Sequence, residues 1–334
     1  MKIQIVAELA QGFEGRPEQA RLLLRAAAAA GADAAKFQLV YADELATPDY
    51  KYYDLFRSLE MSDKVWTELV SYAGEQRIEL HLDIFGSRSL ALAEKIGATA
   101  IKLHGTDIAN LGLLDEVARS SVQCVFLGAG GAHRSEIEEA LTRLSGKRVV
   151  VLLGFQGYPT PTETNQIARV AFLREQFLGA GTGVELGFAD HASPDSPLRY
   201  ALPAIALGAG ATVIEKHLTL GKAMMLEDHE AALNPDEFKE FSQVMRDCSS
   251  ALGEVKDWDD FGMAEAEGGY RRMIRRHVVT ARDIPEGTAL TPADLVLKRT
   301  AAEQPITNLN DVYQKVTCRA LGLNQALLAD DVKS

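Results

Sequence analysis

The sequence predicts an α/β protein in two parts, a (β/α)8 barrel followed by a small β-rich module. Three observations carry this expectation. Short β-branched or apolar runs alternate with longer segments of helical period through most of the chain. Eight such β-α units fit one closed barrel of about 250 residues. The alternation then stops at residues 253–272 (GEVKDWDDFGMAEAEGGYRR), which are polar, acidic and glycine-containing. A doubly wound sheet is the structural competitor, but it would normally show a G-x-G-x-x-G turn after the first strand. The segment AELAQGFEG supplies none.

Taken in order, the strands are read at 3–9 (IQIVAEL), 34–39 (AAKFQL), 79–85 (ELHLDIF), 100–105 (AIKLHG), 123–128 (QCVFLG), 149–155 (VVVLLGF), 183–190 (GVELGFAD) and 212–218 (TVIEKHL). Helical stretches fall between them at 17–30, 63–75, 87–96, 133–144, 162–178 and 196–208, with 235–251 after the last strand. Most connections are short. The exception is 41–62 (YADELATPDYKYYDLFRSLEMS), an aromatic-rich insertion after the second strand, predicted to be a lid over a pocket. Residues 1–252 are therefore assigned to the barrel, 253–272 to a linker and 273–334 to the module. The module has short β-type runs broken by Pro-Glu-Gly and Thr-Pro turns, and it is too small for an extensive core of its own. No internal repeat beyond the β-α period is read.

Composition narrows the functional classes. The 334 residues are 47% hydrophobic and 25% charged, an ordinary globular mixture that excludes disorder, collagen and a disulfide scaffold. Thirty-five Lys and Arg against 47 Asp and Glu leave a net charge of −12, which repels phosphate backbones and anionic lipid. Neither nucleic acid nor membrane is expected as a partner. An anionic substrate would need a local positive site against that field. Cys124, Cys248 and Cys318 lack C-x-x-C spacing, so no disulfide framework or zinc cluster is indicated. With no signal-peptide core in MKIQIVAELAQ, a cytoplasmic location is expected.

Side chains two apart on a strand share a face, and barrel active sites collect at strand C-termini. Glu8 closes the first strand, Lys36 and Gln38 share a face of the second, and Lys102 and His104 share a face of the fourth. Asp190 and His191 end the seventh, and Glu215 and His217 share a face of the eighth. Polar groups inside apolar strands are costly unless paired or functional. His191 and His217, beside Asp190 and Glu215, are candidates to hold one divalent cation; a lone strand histidine would instead read as structural. Lys36 and Lys102 are each a Schiff-base amine, a cationic clamp or a snorkelling structural lysine. Two of them, with Lys216 nearby, favour the clamp. The segment LGAGGAHRSE after the fifth strand could hold a phosphate on its backbone amides, or be an ordinary turn.

Several motifs together resemble the sialic acid (N-acetylneuraminate) synthase family. They are VAE at 6–8, KFQ at 36–38, YPTP at 158–161, DH at 190–191, IEKHLT at 214–219, DH at 228–229 and the terminal RRHVVTARDIPEGTALTPADLVLKR. The resemblance covers nearly the whole chain and implies a TIM barrel with a C-terminal antifreeze-like SAF domain. It implies condensation of phosphoenolpyruvate with an aldose such as N-acetylmannosamine, giving a nine-carbon 2-keto acid and phosphate. It also implies a divalent metal ion, manganese first with magnesium or cobalt as alternatives, on His191 and His217, and Lys36 and Lys102 as clamps on the donor. Glu8, Gln38, Tyr158 and Asp228 would then position the acceptor, with Gln156 at the substrate and Glu8, Glu215 and His217 catalytic. The family is a domain-swapped homodimer whose C-terminal module lends an arginine to its partner, here matched by Arg299.

This chain departs from the family pattern at several points. Gly12-Phe13-Glu14-Gly15 stands for Asn-His-Asn-Gly, Asp83-Ile84-Phe85-Gly86 for Thr-Pro-Phe-Asp, and Gly105-Thr106-Asp107 for Ser-Gly-Glu. Gly128-Ala129-Gly130 stands for Ser-Thr-Gly, Ala189 for a serine, Gln156 for an asparagine, and Thr300-Ala301 for Pro-Gly. Lost hydroxyls, at about 1 kcal/mol each and up to 3 to a charged group, weaken a phosphate site unless other donors replace them. The alternative reading is therefore a metal-dependent aldolase or sugar isomerase that has lost the phosphoenolpyruvate site. A catalytically dead carbohydrate-binding homologue is disfavoured, because such a copy has no reason to keep buried charges.

Overall fold

The structure is a computed structural model that describes residues 3–154, 157–177, 183–254, 259 and 261–333. It divides into two compact units, Met1–Gly253 and Glu254–Ser334. Among the described residues no helix is long and apolar enough to cross a membrane, and the three cysteines are free thiols.

The first unit is the predicted barrel. Its strands are β1 (Gln4–Ala10), β2 (Ala34–Gln38), β3 (Glu79–Ile84), β4 (Ala100–Leu103), β5 (Cys124–Gly128), β6 (Arg148–Leu153), β7 (Val184–Asp190) and β8 (Val213–His217), closed in sequence order. All neighbours are parallel, and β8 pairs back onto β1 from Gln4↔Val213 to Glu8↔His217. The helices are α1 (Pro17–Ala29), α2 (Ala42–Leu45), α3 (Tyr53–Leu59), α4 (Asp63–Gln76), α5 (Ser87–Ile96), α6 (Leu111–Arg119), α7 (Arg134–Arg143), α8 (Ala168–Phe177), α9 (Ala201–Ala209) and α10 (Pro235–Leu252).

Local chemistry explains the boundaries. Pro17 opens α1 with its fixed φ, and Ala20, Leu23, Leu24 and Ala27 supply the buried stripe at helical spacing. Asn234 caps α10, with Glu237 reaching back to its amide at 2.8 Å. The helix expected from residue 162 begins only at Ala168. Asn165 donates to the Pro161 and Thr162 carbonyls at 3.0 and 3.1 Å and holds that turn as a 3₁₀ segment. The helix expected from 196 begins at Ala201, after a run with prolines at 194 and 197 that lack amide donors. The insertion 41–62 contributes α2 and α3.

Two apolar zones position the site. Between strands and helices, the edge-to-face rings of Phe13, Phe37 and Trp66 lie 5.6 to 6.1 Å apart within the main core. Inside the barrel, Val6, Ala34, Ala100, Phe126, Val150 and Val213 form a dry floor. The next inward positions toward the strand C-termini are charged on β1, β2, β3, β4 and β8 (Glu8, Lys36, Asp83, Lys102 and Glu215) and uncharged on β5, β6 and β7.

In the second unit, helix α11 (Glu265–Ile274) occupies part of the stretch expected to be a linker. Strands β9 (His277–Thr280) and β10 (Leu295–Lys298) pair antiparallel, as do β11 (Val316–Thr317) and β12 (Val332–Lys333). A duplication unnoticed in the sequence is evident here. Arg282 donates to Asp294 at 2.7 Å and Arg319, 37 residues on (282 to 319), donates to Asp331, 37 residues on (294 to 331), at the same 2.7 Å. Thr317 likewise donates to the Pro285 carbonyl as Thr280 donates to that of Gly322. Val278, Ile284, Leu290, Leu295, Val312, Leu321 and Leu327 form the small core.

Candidate active site

Strand register assembles the charged layer. Glu8 lies opposite Lys36, Gln38 opposite Asp83, and Asp83 opposite Lys102, while Glu8 faces His217 across the closing seam. A bulge after Glu8 turns the Ala10 amide onto the Glu8 carboxylate at 2.8 Å. Lys36 is fully buried and bonds Glu8 and Asp83, the latter at 2.7 Å, with Glu215 at 3.6 Å. Lys102 reaches Glu215 at 3.2 Å, Asp83 at 3.5 Å and Glu8 at 3.7 Å. Three carboxyl groups thus share two ammonium groups in a largely buried layer that opens at Lys102.

The surroundings separate the carboxylates. Burial pushes the Glu8 carboxyl up to about 8, against the opposing pull of Lys36. Burial also raises Glu215, but Lys102 and Lys36 outweigh it and hold that carboxyl down at about 2. Burial lowers Lys36, but Asp83, Glu215 and Glu8 reverse the effect and keep it firmly protonated.

Above the layer stand the two histidines. Their ring centroids are 5.1 Å apart, and the Tyr158 ring lies 5.5 Å from each. The Tyr158 hydroxyl sits 3.2 and 3.3 Å from the His217 ring nitrogens and donates to the Asp228 carbonyl at 3.0 Å. Burial lowers His191 to about 4, and burial with neighbouring cationic groups keeps His217 well below its ordinary value. His191 Nδ1 lies 3.0 Å from the Ala189 carbonyl, which assigns the proton to Nδ1 and the lone pair to Nε2. Two neutral imidazoles converging in this way fit a divalent cation with an open face. Among the described residues no group of three or more His, Cys, Asp and Glu side chains is placed to hold a metal.

Two cavities flank the layer and share His104. The smaller, about 70 Å3, is lined by Lys102, Gly105, Gly128, Gly130 and His191 among others. The larger, about 780 Å3, runs from Gln38 and Phe85 to Asp43, Tyr50 and Phe56 of the insertion. The segment expected to act as a lid therefore forms one wall of a pocket. Gln38 accepts from Gln11 at 2.7 Å on its floor. Burial, with Lys102, holds His104 below its usual value. Asp228, half-buried beside Tyr158, is pushed up to about 6 by burial.

Most of the expected residues meet here: Glu8, Lys36, Gln38, Lys102, Tyr158, His191, Glu215, His217 and Asp228. Gln156 lies outside the described residues. Arg299 belongs to the second unit, where its Nε donates to the Ile274 carbonyl at 3.2 Å. Two expectations are corrected. Lys216 is not near the clamp, because strand alternation points it away from Glu215 and His217; it pairs with Asp190 at 2.8 Å and donates to the Ala192 carbonyl at 2.8 Å. Asp190 is occupied by that pair and by the Ala192 amide, so it is no companion of the histidines. The glycine-rich segment after β5 lines the small cavity through Gly128 and Gly130, while Glu136 bonds the His133 amide at 2.7 Å in front of α7.

Asp83 and His81 were not anticipated. The run E-L-H-L-D at 79–83 alternates polar and apolar, which places Glu79, His81 and Asp83 on the inward face. That alternation is the signal by which they can be found.

Comparison with known proteins follows the same outline. A sequence model of the NeuB family matches residues 23–257, and one of the SAF domain matches 275–333. The protein MJ1065 of Methanocaldococcus jannaschii, which carries no functional name, is 31% identical over 301 residues, 88% of this chain and 84% of that protein. The N,N'-diacetyllegionaminic acid synthase of Legionella pneumophila is 27% identical over 318 residues, 88% of this chain and 85% of that one. Among solved structures, the spore coat polysaccharide biosynthesis protein spsE of Bacillus subtilis matches with a TM-score of 0.65 at 26% identity, covering 100% of this chain and 96% of its own.

Proposed function

Because the chain belongs to the NeuB family and carries a SAF domain, we propose that it condenses phosphoenolpyruvate with the open-chain aldehyde of an N-acetylmannosamine-like hexosamine. The products are a nonulosonic, sialic-acid-like 2-keto-3-deoxy acid and phosphate. One observation carries this reading. A small cavity lined by the buried Lys102 and a large cavity with aromatic and polar walls adjoin at His104, beside the charged layer. That arrangement suits a compact anionic donor next to a sugar acceptor.

In the reaction C3 of the enol attacks the aldehyde carbon, the aldehyde oxygen gains a proton, water adds at C2, and phosphate leaves to uncover the ketone. Lys102 and Lys36 hold the donor's negative charge. Burial raises Glu8 while Lys102 and Lys36 hold Glu215 down, so the two divide the work: Glu8 gives a proton to the developing alkoxide and Glu215 takes one from the attacking water. Gln38 and the Tyr158–Asp228 pair hold acceptor hydroxyls. His191 and His217 would hold a divalent cation, manganese first with magnesium or cobalt as alternatives; when bound it supplies a Lewis acid for the carbonyl oxygen.

We also propose a cytoplasmic, domain-swapped homodimer in which the exposed Arg299 enters the partner's acceptor pocket. The test of the main reading is phosphate and 2-keto acid formation from phosphoenolpyruvate, N-acetylmannosamine and manganese. Both products should form only when both substrates are present. Phosphate released without an aldose, or none released with any aldose, overturns the condensation. A metal-dependent aldolase or sugar isomerase is the second reading, favoured by the pairing of both lysines with carboxylates; it predicts turnover without phosphate.

A further inference from the structure

Asp83 lies on β3 between the two lysine-bearing strands and is fully buried. Its Oδ1 bonds the Lys36 ammonium at 2.7 Å and its Oδ2 lies 3.5 Å from that of Lys102. Oδ2 makes no hydrogen bond, although it is shut away from water. Glu215 meets Lys102 at 3.2 Å from the other side, so each ammonium is matched by a carboxylate before any ligand arrives. Among the described residues the small cavity beside Lys102 is lined by no other Lys or Arg; its remaining lining is His104, His191, glycines, Leu152 and Ala189. An anion entering there finds no surplus positive charge.

We infer that Asp83 is a specificity-determining residue that competes, from inside the barrel, with the donor's anionic group for the charge of Lys102, the lysine that lines the small cavity. Asp83 thereby weakens the binding of every anion at this site, and weakens dianions more than monoanions, because the repulsion scales with ligand charge. The charge balance of the layer, and not the loss of neighbouring hydroxyls alone, then sets donor affinity. The inference rests on the reading of the two lysines as the donor's clamp.

The experiment compares the full-length protein with Asp83→Asn, which keeps the shape and removes the charge, and with Asp83→Ser as a second variant should the first fail to fold. Calorimetry at fixed ionic strength and pH 8 measures binding of inorganic phosphate, pyruvate and N-acetylmannosamine. Removing one unit charge within several ångströms of the ligand, at the effective dielectric of a protein interior, should tighten phosphate about tenfold or more. Pyruvate should gain by a smaller factor, and the neutral sugar by less than twofold. Unchanged or weaker phosphate binding in both variants overturns the inference. So does an equal gain for the sugar, or the absence of phosphate binding in all three proteins. Because the comparison is made at equilibrium, tighter phosphate binding without any phosphate release from phosphoenolpyruvate would keep this inference and remove the condensation.

Discussion

Replacing Lys102 by Met removes one of the two cations in the charged layer while keeping a side chain of similar length. Two consequences can be worked out. The first concerns stability. Glu215 is 2% exposed and its carboxyl is held down from 4.5 to about 2, chiefly by Lys102 and then Lys36 working against burial. Without Lys102 the buried Glu215 carboxylate keeps only Lys36 nearby, and losing one partner of a buried pair costs ~3–5 kcal/mol at neutral pH. A carboxyl depressed in the folded state stabilises above its unfolded value near 4.5 and loses that contribution as pH falls toward 2. The variant's deficit should therefore be largest at pH 7 and shrink to about half at pH 3. Urea denaturation at the two pH values reads this directly. A deficit of the same size at both would show that lost packing, and not lost charge, is responsible.

The second consequence concerns the substrate. A hydrogen bond to a charged group contributes about 1.5–3 kcal/mol, so KM for phosphoenolpyruvate should rise roughly ten- to a hundredfold, with KM for the sugar rising less than threefold. Equal increases in both constants would remove Lys102 from the donor site. A pyruvate-derived adduct trapped on either lysine by borohydride would replace the clamp with a Schiff base.

Other perturbations test other parts of the site. His217→Ala should abolish turnover while leaving the circular dichroism spectrum unchanged; full activity in that variant, or activity indifferent to exhaustive chelation, takes the metal out of the reaction. Tyr50→Ala strips an aromatic wall from the large cavity, where Tyr50 stacks on Phe56 with centroids 6.1 Å apart. Its expected effect is a rise of up to about tenfold in KM for the aldose, with KM for phosphoenolpyruvate within twofold; a collapse of kcat alone would place Tyr50 outside acceptor binding. Mixing an Arg299→Ala subunit with a His217→Ala subunit should regain part of the activity if the module crosses between subunits, since one heterodimer site is then intact. No recovery in verified heterodimers would refute the crossing.

The barrel was legible because its strands are buried on both faces. Each therefore stands out as an apolar run, and each lies within two residues of its expected bounds. The charged members of the site were legible because they interrupt those runs at inward positions: Glu8 in IQIVAEL, Lys36 in AAKFQL and Lys102 in AIKLHG. Adjacency in sequence misled where alternation mattered more. Lys216 sits between Glu215 and His217, yet one residue along a strand is the opposite face, and there Asp190 was already waiting for it. Helix α11 was missed because it buries none of its residues and has no side-chain N-cap, so it leaves no apolar stripe to read. The duplication in the C-terminal unit hides because its halves share the Thr, Arg and Asp that bond one another while the apolar positions exchange Ile for Leu.

The energetics of the charged layer give the strongest reason to connect it with chemistry. Five ionisable groups packed above an apolar floor are a poor way to stabilise a barrel, since well-packed apolar side chains of similar volume are often as good or better by about 1–4 kcal/mol. Asp83 Oδ2 and Glu215 Oε2 are buried without a hydrogen bond, although each lies within ion-pair distance of a lysine, at 3.5 and 3.6 Å. No such expense falls on the opposite half of the layer, where Gly128, Leu152 and Ala189 take the equivalent inward positions of β5, β6 and β7. The charges are thus confined to β1 through β4 and β8, next to the two histidines and the two cavities. A purely structural network would have no reason to stop where the ligand space begins. Gly128, Leu152 and Ala189 of the neutral half line the small cavity together with Lys102, so the charges end at the edge of that cavity.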